Sequence, residues 1–138
     1  MKYILLFVLA LSTVVESENP ELTITINNIE ALKGRIRIGV FNKSENFLKR
    51  EAAIKHYYIT IKNATETITI TDLPKGDYGF SMFHDKNSDD EFNRNFLGIP
   101  KEPYGFSNNV KPTFSAPSYE ECKFSLLEDR TIEVALIN

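Results

Sequence analysis

The sequence has a single cysteine, Cys122, and no tryptophan. One cysteine cannot close a disulfide within the chain, so the fold has to be held together by core packing alone. A catalytic thiol needs an activating base or charge in an identifiable site, and the sequence around Cys122 supplies no such arrangement. We therefore expect Cys122 to be a small buried hydrophobic residue.

Several motifs of catalysis and nucleotide binding are also missing. The 138 residues contain no Gly-rich phosphate loop, no Gly-x-Ser-x-Gly elbow and no Cys-x-x-Cys pair. No basic run is present and the formal net charge is -3, which gives no basis for a nucleic-acid partner. With two distant histidines and one cysteine, the chain also lacks the usual ligands of a zinc site.

One apolar run near the N-terminus has the features of a targeting segment. Lys2 gives a short positive start, residues 3–15 are apolar except for Ser12 and Thr13, and Val15-Glu16-Ser17 follows. The run is too short to cross a bilayer comfortably and has the form of a cleavable secretory signal. We expect residues 1–17 to be a signal peptide and residues 18–138 to be one domain without a membrane span. The protein is then exported, to the periplasm or outside the cell.

The rest of the chain alternates apolar and polar residues in seven segments, the pattern of half-buried β-strands. Leu73-Pro74-Lys75-Gly76 has the composition of a tight turn. We expect Tyr78, which follows it, to be buried with its hydroxyl bonded near the turn. The sequence predicts an all-β fold, a seven-stranded antiparallel β-sandwich, with one short helix within residues 44–55. The seven predicted strands are residues 22–26, 36–40, 57–61, 68–70, 78–82, 122–126 and 132–136.

Residues 85–119, here called the excursion, break this alternation. A stretch of this length without regular structure is unusual in a compact domain, and is most often functional or disordered. Its composition argues against disorder, so we expect an ordered loop in which function lies. Its large apolar side chains should pack onto the sheets; they are Phe92, Phe96, Leu97, Ile99, Tyr104, Phe106, Phe114 and Tyr119.

Two motifs in and beside the excursion are recognisable. The first is Phe83-His84-Asp85-Lys86-Asn87, and the second runs from Gly98-Ile99-Pro100 through Glu102 to Tyr104-Gly105-Phe106-Ser107-Asn108-Asn109. Written as FHD-x-N and GIP-x-E-x-YGFSNN, they resemble the signature of a bacterial family of unknown function, whose members are small, exported and mainly Gram-negative. The Leu-Pro-x-Gly-x-Tyr turn at residues 73–78 belongs to the same resemblance. It implies a relative of the transthyretin-like and immunoglobulin-like sandwiches and provides no catalytic residues.

Oxygen-bearing side chains recur at every second position from residue 85 to residue 93, at Asp85, Asn87, Asp89, Glu91 and Asn93. A tight loop of this kind can direct several oxygens at a hard cation such as Ca²⁺. The first half of the run matches a calcium loop, whereas the sixth and twelfth positions lack the Gly and Glu of the helix-loop-helix motif. Two interpretations stand: a weak calcium site, and an Asx-rich turn whose side chains cap their own backbone.

A second candidate site combines aromatic faces with polar groups, at Glu102, Tyr104, Phe106, Asn108 and Asn109. These residues suit a shallow platform for a sugar or a peptide. The alternative is that the rings close one end of the sandwich, because apolar surface this dense is normally buried. For Glu102, a salt bridge or a backbone cap is the alternative to acid–base chemistry.

Together these features predict a non-catalytic, exported β-sandwich module that acts as a monomer on an unknown envelope or extracellular ligand. Ca²⁺ at residues 85–93 is the one cofactor that the sequence suggests. One alternative is a purely structural envelope protein. Another is a small hydrolase that uses Asp85, His84 or Glu102, with His84 otherwise serving as a partly buried residue that holds the loop by a hydrogen bond.

Overall fold

The computed structural model describes residues 12–13 and 18–138. The predicted signal peptide, residues 1–17, therefore lies outside the described residues except for Ser12 and Thr13. In the described part of the chain, no helix is long and apolar enough to cross a membrane. Its regular structure is almost entirely β. The strands are β1 (Leu22–Asn27), β2 (Arg35–Phe41), β3 (Lys55–Thr60), β4 (Glu66–Ile70), β5 (Gly76–Asp85), β6 (Tyr104–Phe106), β7 (Phe124–Leu126) and β8 (Arg130–Ala135), and one short helix is α1 (Tyr119–Cys122).

The eight strands form two sheets. The smaller sheet has the order β4-β1-β8, and the larger has the order β3-β2-β5-β6, with β7 beside the first residues of β5. Strands β1 and β8 run parallel, whereas the other strand pairs of residues 18–138 are antiparallel. The expectation of seven strands, all antiparallel, is therefore wrong. Alternation tells which face a residue occupies but not the direction of the neighbouring strand, and the three residues of β6 are too few to show a period.

Apolar side chains from both sheets share one hydrophobic core. In β1, Leu22, Ile24 and Ile26 are fully buried, and the residues between them are half-buried. Ile36 and Ile38 of β2 belong to the same cluster. Successive side chains of a strand point to opposite faces, so the alternating pattern places these residues in the core. Six of the seven predicted strands are confirmed with small changes at their ends. The exception is the prediction for residues 122–126, of which only Phe124–Leu126 form a strand.

Tyr78 fixes the turn before β5 as the sequence predicts. Its side chain is buried, and its hydroxyl donates to the carbonyl oxygen of Pro74 at 2.6 Å. Burial raises the pKa of the Tyr78 hydroxyl above its ordinary value. The turn and the strand are thus tied together by one side chain.

Two local predictions are wrong. Cys122 ends α1 instead of lying in a strand, because Ser118 and Glu121 form a capping box that starts a helical turn. Its predicted burial is confirmed, and burial raises the pKa of the Cys122 thiol to about 11, so the thiol is protonated at neutral pH. The helix expected within residues 44–55 is replaced by two 3-10 turns, Ser44–Asn46 and Arg50–Ala52.

Candidate functional site

The excursion packs onto the larger sheet only in part. Phe106 and Tyr119 are buried, and the half-buried Phe92 lies between Phe83, at 5.4 Å between ring centroids, and Tyr104, at 5.9 Å. The expectation that all eight large apolar side chains pack down is wrong for four of them. Those four are largely exposed: Phe96, Leu97, Ile99 and Phe114.

The carboxylate of Asp85 caps the loop that follows β5. It is fully buried and accepts hydrogen bonds from the backbone N–H groups of Asp89 at 3.2 Å and Asp90 at 2.8 Å. Nε of Arg35 lies 3.8 Å from its Oδ2. Ser88 and Asp90 have φ angles of 57° and 61°. These angles belong to the left-handed backbone conformation, which glycine adopts most easily and which aspartate tolerates. Position 90, where a calcium loop has glycine, therefore does need a left-handed backbone.

The other predicted calcium ligands bond to one another. The side-chain amides of Asn87 and Asn93 donate to Oδ2 of Asp89 at 3.1 and 3.0 Å, and the N–H of Glu91 donates to its Oδ1 at 2.9 Å. The hydrogen bond from Glu91, followed by that from Asn93, lowers the pKa of Asp89 below its ordinary value. These contacts are those of an Asx-rich turn.

Glu102 reaches this loop from the other side of the excursion. Its buried carboxylate accepts hydrogen bonds from the N–H groups of Lys86 and Asn93, both at 2.9 Å. Asp85, Asp89 and Glu102 each place one oxygen within 4.8 Å of the others. The sequence offers no signal for this convergence, because Glu102 is separated from the loop by the exposed part of the excursion. Its contacts fit the backbone-capping interpretation.

The calcium site stays a prediction, with a thermal test. At ten to a hundred times a dissociation constant of about 10⁻⁴–10⁻³ M, Ca²⁺ would stabilise the fold by about 1.4–2.7 kcal/mol. At about 2–8 °C per kcal/mol the melting temperature should rise by several degrees, and Mg²⁺ should do less because it needs a smaller octahedral site. Asp89→Asn should abolish the rise, because it removes one ligand carboxylate. The variant should still fold, since Asp89 is exposed and the buried Asp85 cap stays in place. Equal melting temperatures in chelator and in about 10 mM Ca²⁺, ten times the weakest of these dissociation constants, would leave only the Asx turn.

His84 holds the end of β5 against the β1–β2 connection. The ring is fully buried, and its Nε2 lies 2.6 Å from the carbonyl oxygen of Lys33. Nε2 therefore carries the proton and donates it to this oxygen. The expected side-chain hydrogen bond is present, but its partner is the β1–β2 connection and not the loop of residues 85–93, and the burial is complete where the sequence suggested partial burial.

The amides of Asn108 and Asn109 are engaged within the fold. Nδ2 of Asn108 donates to the carbonyl oxygens of Glu121 at 3.1 Å and Lys123 at 2.8 Å. Oδ1 of Asn109 accepts from the N–H of Ala135 at 3.1 Å. These contacts tie the excursion to α1 and β8, and they fit the interpretation in which this part of the excursion closes one end of the fold.

A pocket lies on the face of the larger sheet that points away from the shared core, partly covered by the excursion. Its volume is about 210 Å³. Its apolar walls include the rings of Phe41, Phe83, Phe92, Tyr104 and Phe106. Two of the five residues of the predicted platform therefore contribute to it. The ionisable residues that line it are three arginines, one histidine and a tyrosine, with no carboxylate among the described lining residues: Arg37, Arg50, Arg94, His56 and Tyr104.

Arg37 is the buried cation of this pocket, with 6% of its surface exposed. Its guanidinium lies 3.2 Å from Nδ1 of His56 and 3.5 Å from Oδ1 of Asp90. Asp90 also pairs with Arg35 at 3.4 Å and Arg50 at 2.8 Å. Asp85 is a second carboxylate near Arg35. The three guanidinium groups of Arg35, Arg37 and Arg50 therefore face two carboxylates, those of Asp85 and Asp90. Burial, followed by the charge of Arg37, lowers the pKa of His56.

A family model described as "Uncharacterized protein conserved in bacteria (DUF2141)" matches residues 24–134. The match includes the core of both sheets and the whole excursion with its pocket. No curated protein and no solved structure matches the chain.

Proposed function

We propose that this chain, which belongs to the family of uncharacterized bacterial proteins DUF2141, is an exported, non-catalytic module that binds a small organic anion. The observation that carries the proposal is the pocket on the larger sheet, whose described lining residues join aromatic walls to three arginines and include no carboxylate. Asp90, outside the lining, pairs with Arg37 and Arg50 and so shares one negative charge between two of these arginines. The module is a β-sandwich of the immunoglobulin-like or transthyretin-like type. Tyr104 and Phe106 of the sequence-based platform contact the ligand in this pocket.

The pocket favours a ligand with an anionic group on a compact apolar body. Guanidinium groups bind carboxylates, phosphates and sulfonates through paired N–H donors. The aromatic walls favour a ring or a short acyl chain, and about 210 Å³ leaves room for a small one. Arg37 is already oriented by His56 and Asp90, so little side-chain freedom is lost when the anion binds.

Binding is better supported than hydrolysis by the placement of the acidic groups. The carboxylates of Asp85 and Glu102 each accept two backbone N–H groups. Neither residue lines the pocket, and the protonated thiol of Cys122 is buried elsewhere. A general base or nucleophile would have to lie within reach of the bound ligand. None of the residues of the hydrolase hypothesis, His84, Asp85 and Glu102, lines the pocket, and the histidine that does, His56, is engaged by Arg37 at 3.2 Å.

A pair of fluorescent probes tests this function. Naphthalene-2-sulfonate carries an anionic group on a compact aromatic body, and naphthalene-2-methanol is its neutral counterpart. The sulfonate should saturate one site and bind at least about tenfold more tightly than the neutral probe, since a hydrogen bond to a charged group contributes about 1.5–3 kcal/mol. Arg94→Gln should weaken the sulfonate about tenfold and leave the neutral probe unchanged.

Arg130→Gln is the matched control, because Arg130 lies over Phe124, outside the pocket. It should bind the sulfonate like the wild type. Equal affinities for the two probes, or an Arg94→Gln variant that keeps the wild-type affinity, would contradict the proposal. No saturable binding at all would favour the purely structural envelope protein.

Affinity for the anion should rise as the pH falls. The pKa of His56 lies below 6.5 because burial and the charge of Arg37 disfavour the protonated ring. A bound anion favours the protonated ring and raises its pKa, so binding takes up a proton. The dissociation constant therefore decreases as the pH falls through the pKa of His56 in the complex, by at most about tenfold per pH unit. His56→Gln should flatten the profile of the same titration between about pH 8 and pH 5.5. A flat wild-type profile would exclude His56 from the site.

Export rests on the positive start at Lys2 and the apolar residues 3–15. N-terminal sequencing of the protein from envelope fractions should begin near Glu18. An intact Met1 on protein from the cytoplasmic fraction would contradict it.

A further inference from the structure

The carboxylate of Asp90 lies among three guanidinium groups, and its two oxygens face different partners. Oδ2 accepts a hydrogen bond from Arg50 at 2.8 Å, the shortest of these three contacts. Oδ1 lies farther from Arg35, at 3.4 Å, and from Arg37, at 3.5 Å. Arg50 begins the 3-10 turn that borders the pocket, so the ion pair between Asp90 and Arg50 joins this turn to the excursion.

The backbone of Asp90 is held in place, whereas the ion pair itself is open to water. The N–H of Asp90 donates to the buried carboxylate of Asp85 at 2.8 Å. The side chain of Asp90 is 35% exposed and that of Arg50 is 53% exposed, so water reaches both charged groups. An ion pair exposed to this degree contributes little free energy, because water solvates the separated charges almost as well. Breaking the pair therefore has a small cost.

Arg37 and Arg50 line the pocket and also share the carboxylate of Asp90. Because one carboxylate reaches both guanidinium groups, a ligand's carboxylate or sulfonate in the pocket is also able to reach both. Each guanidinium has five N–H donors, so the two groups offer more donors than Asp90 uses. Arg37 is buried and lies 3.2 Å from Nδ1 of His56, whereas the more exposed Arg50 has room to turn toward a ligand.

We propose that Asp90 is an internal counter-ion of the pocket, and that the anionic group of the ligand replaces it at Arg50. Arg50 turns from Asp90 to the ligand, while Oδ1 of Asp90 keeps its contacts with Arg35 and Arg37. Arg37 thus stays oriented, and the carboxylate oxygen that Arg50 leaves is solvated by water. The exchange lowers the affinity of the pocket for every anion and leaves the affinity for a neutral ligand unchanged. This inference rests on the proposed function and adds the residue that sets its affinity for anions.

Titration of the Asp90→Asn variant with naphthalene-2-sulfonate tests the exchange. Asparagine tolerates the left-handed φ of 61° at this position and keeps one oxygen for Arg37, but it loses the oxygen that accepts from Arg50. The dissociation constant of the sulfonate should fall about fivefold, the upper end for a partly exposed ion pair, and that of naphthalene-2-methanol should not change. In an Arg50→Gln background, which has no such pair to break, Asp90→Asn should have a much smaller effect.

Glu51→Gln is the matched control, because it removes the same charge from the residue next to Arg50. Glu51 is exposed and does not line the pocket, so this variant should bind the sulfonate like the wild type. If the wild type binds the sulfonate and Asp90→Asn binds it no more tightly, the exchange is overturned and the proposed function stands. An equal gain in Glu51→Gln would reduce the effect to net charge and would also overturn the exchange. If neither the wild type nor Asp90→Asn binds the sulfonate, the proposed function fails, and the exchange fails with it.

Discussion

Replacing Tyr78 with alanine should lower the free energy of unfolding by about 3–5 kcal/mol, as truncations of large buried aromatic residues do. The ring of Tyr78 is 5% exposed and lies 6.4 Å from the ring of Phe124, so its removal leaves a cavity between β5 and β7. The hydrogen bond to Pro74 is lost as well. Urea denaturation monitored by circular dichroism measures the change.

Tyr78→Phe is the control for the ring. It keeps the packing and removes only the hydroxyl, so it should cost about 1 kcal/mol. A loss below about 1 kcal/mol for Tyr78→Ala, the range of surface substitutions, would mean that the ring is exposed and the register of β5 is wrong.

Replacing Asp85 with alanine should cost about 3 kcal/mol. The substitution removes the buried carboxylate that accepts the part-buried N–H groups of Asp89 and Asp90 and that lies beside Arg35. Hydrogen bonds to a charged group contribute about 1.5–3 kcal/mol each, and backbone relaxation would recover part of the sum. The same urea titration, in chelator, measures the effect without any contribution from calcium.

Asp89→Ala is the matched control, because Asp89 belongs to the same loop but is exposed. It should cost less than about 1 kcal/mol. If Asp85→Ala and Asp89→Ala lower the free energy of unfolding equally in chelator, the buried carboxylate of Asp85 does not stabilise the fold. The conformation of the loop would then require a bound ion.

The sequence predicts those parts of the fold that repeat every two residues. In β1 and β2, the alternation of apolar and polar residues identifies the face that packs in the core without knowledge of the neighbouring strands, although the other face of β2 is also buried. It does not give the parallel pairing of β1 with β8, because the chain between them is long enough to return in either direction. The three residues of β6 were also missed, since they are too few to show the period.

The pocket could not be read from the sequence because its residues come from separate parts of the chain. Arg37 alternates with apolar residues of β2, which normally indicates a solvent-facing side chain. The excursion and the 3-10 turn at Arg50–Ala52 are what enclose it. Phe96 and Leu97 show the opposite error, since their apolar character predicts that they pack onto the sheets. A hairpin closed by Asn95 points them outward instead.

The central claim, that an organic anion binds in the pocket on the larger sheet, is tested most directly by two-dimensional NMR spectra of the labelled protein during titration with naphthalene-2-sulfonate. The account predicts that the largest shifts fall on backbone amides of the pocket lining, at Gly39, Ser81, Phe83 and Arg94. Shifts confined to residues 96–99, or an unchanged spectrum at saturating probe, would contradict it.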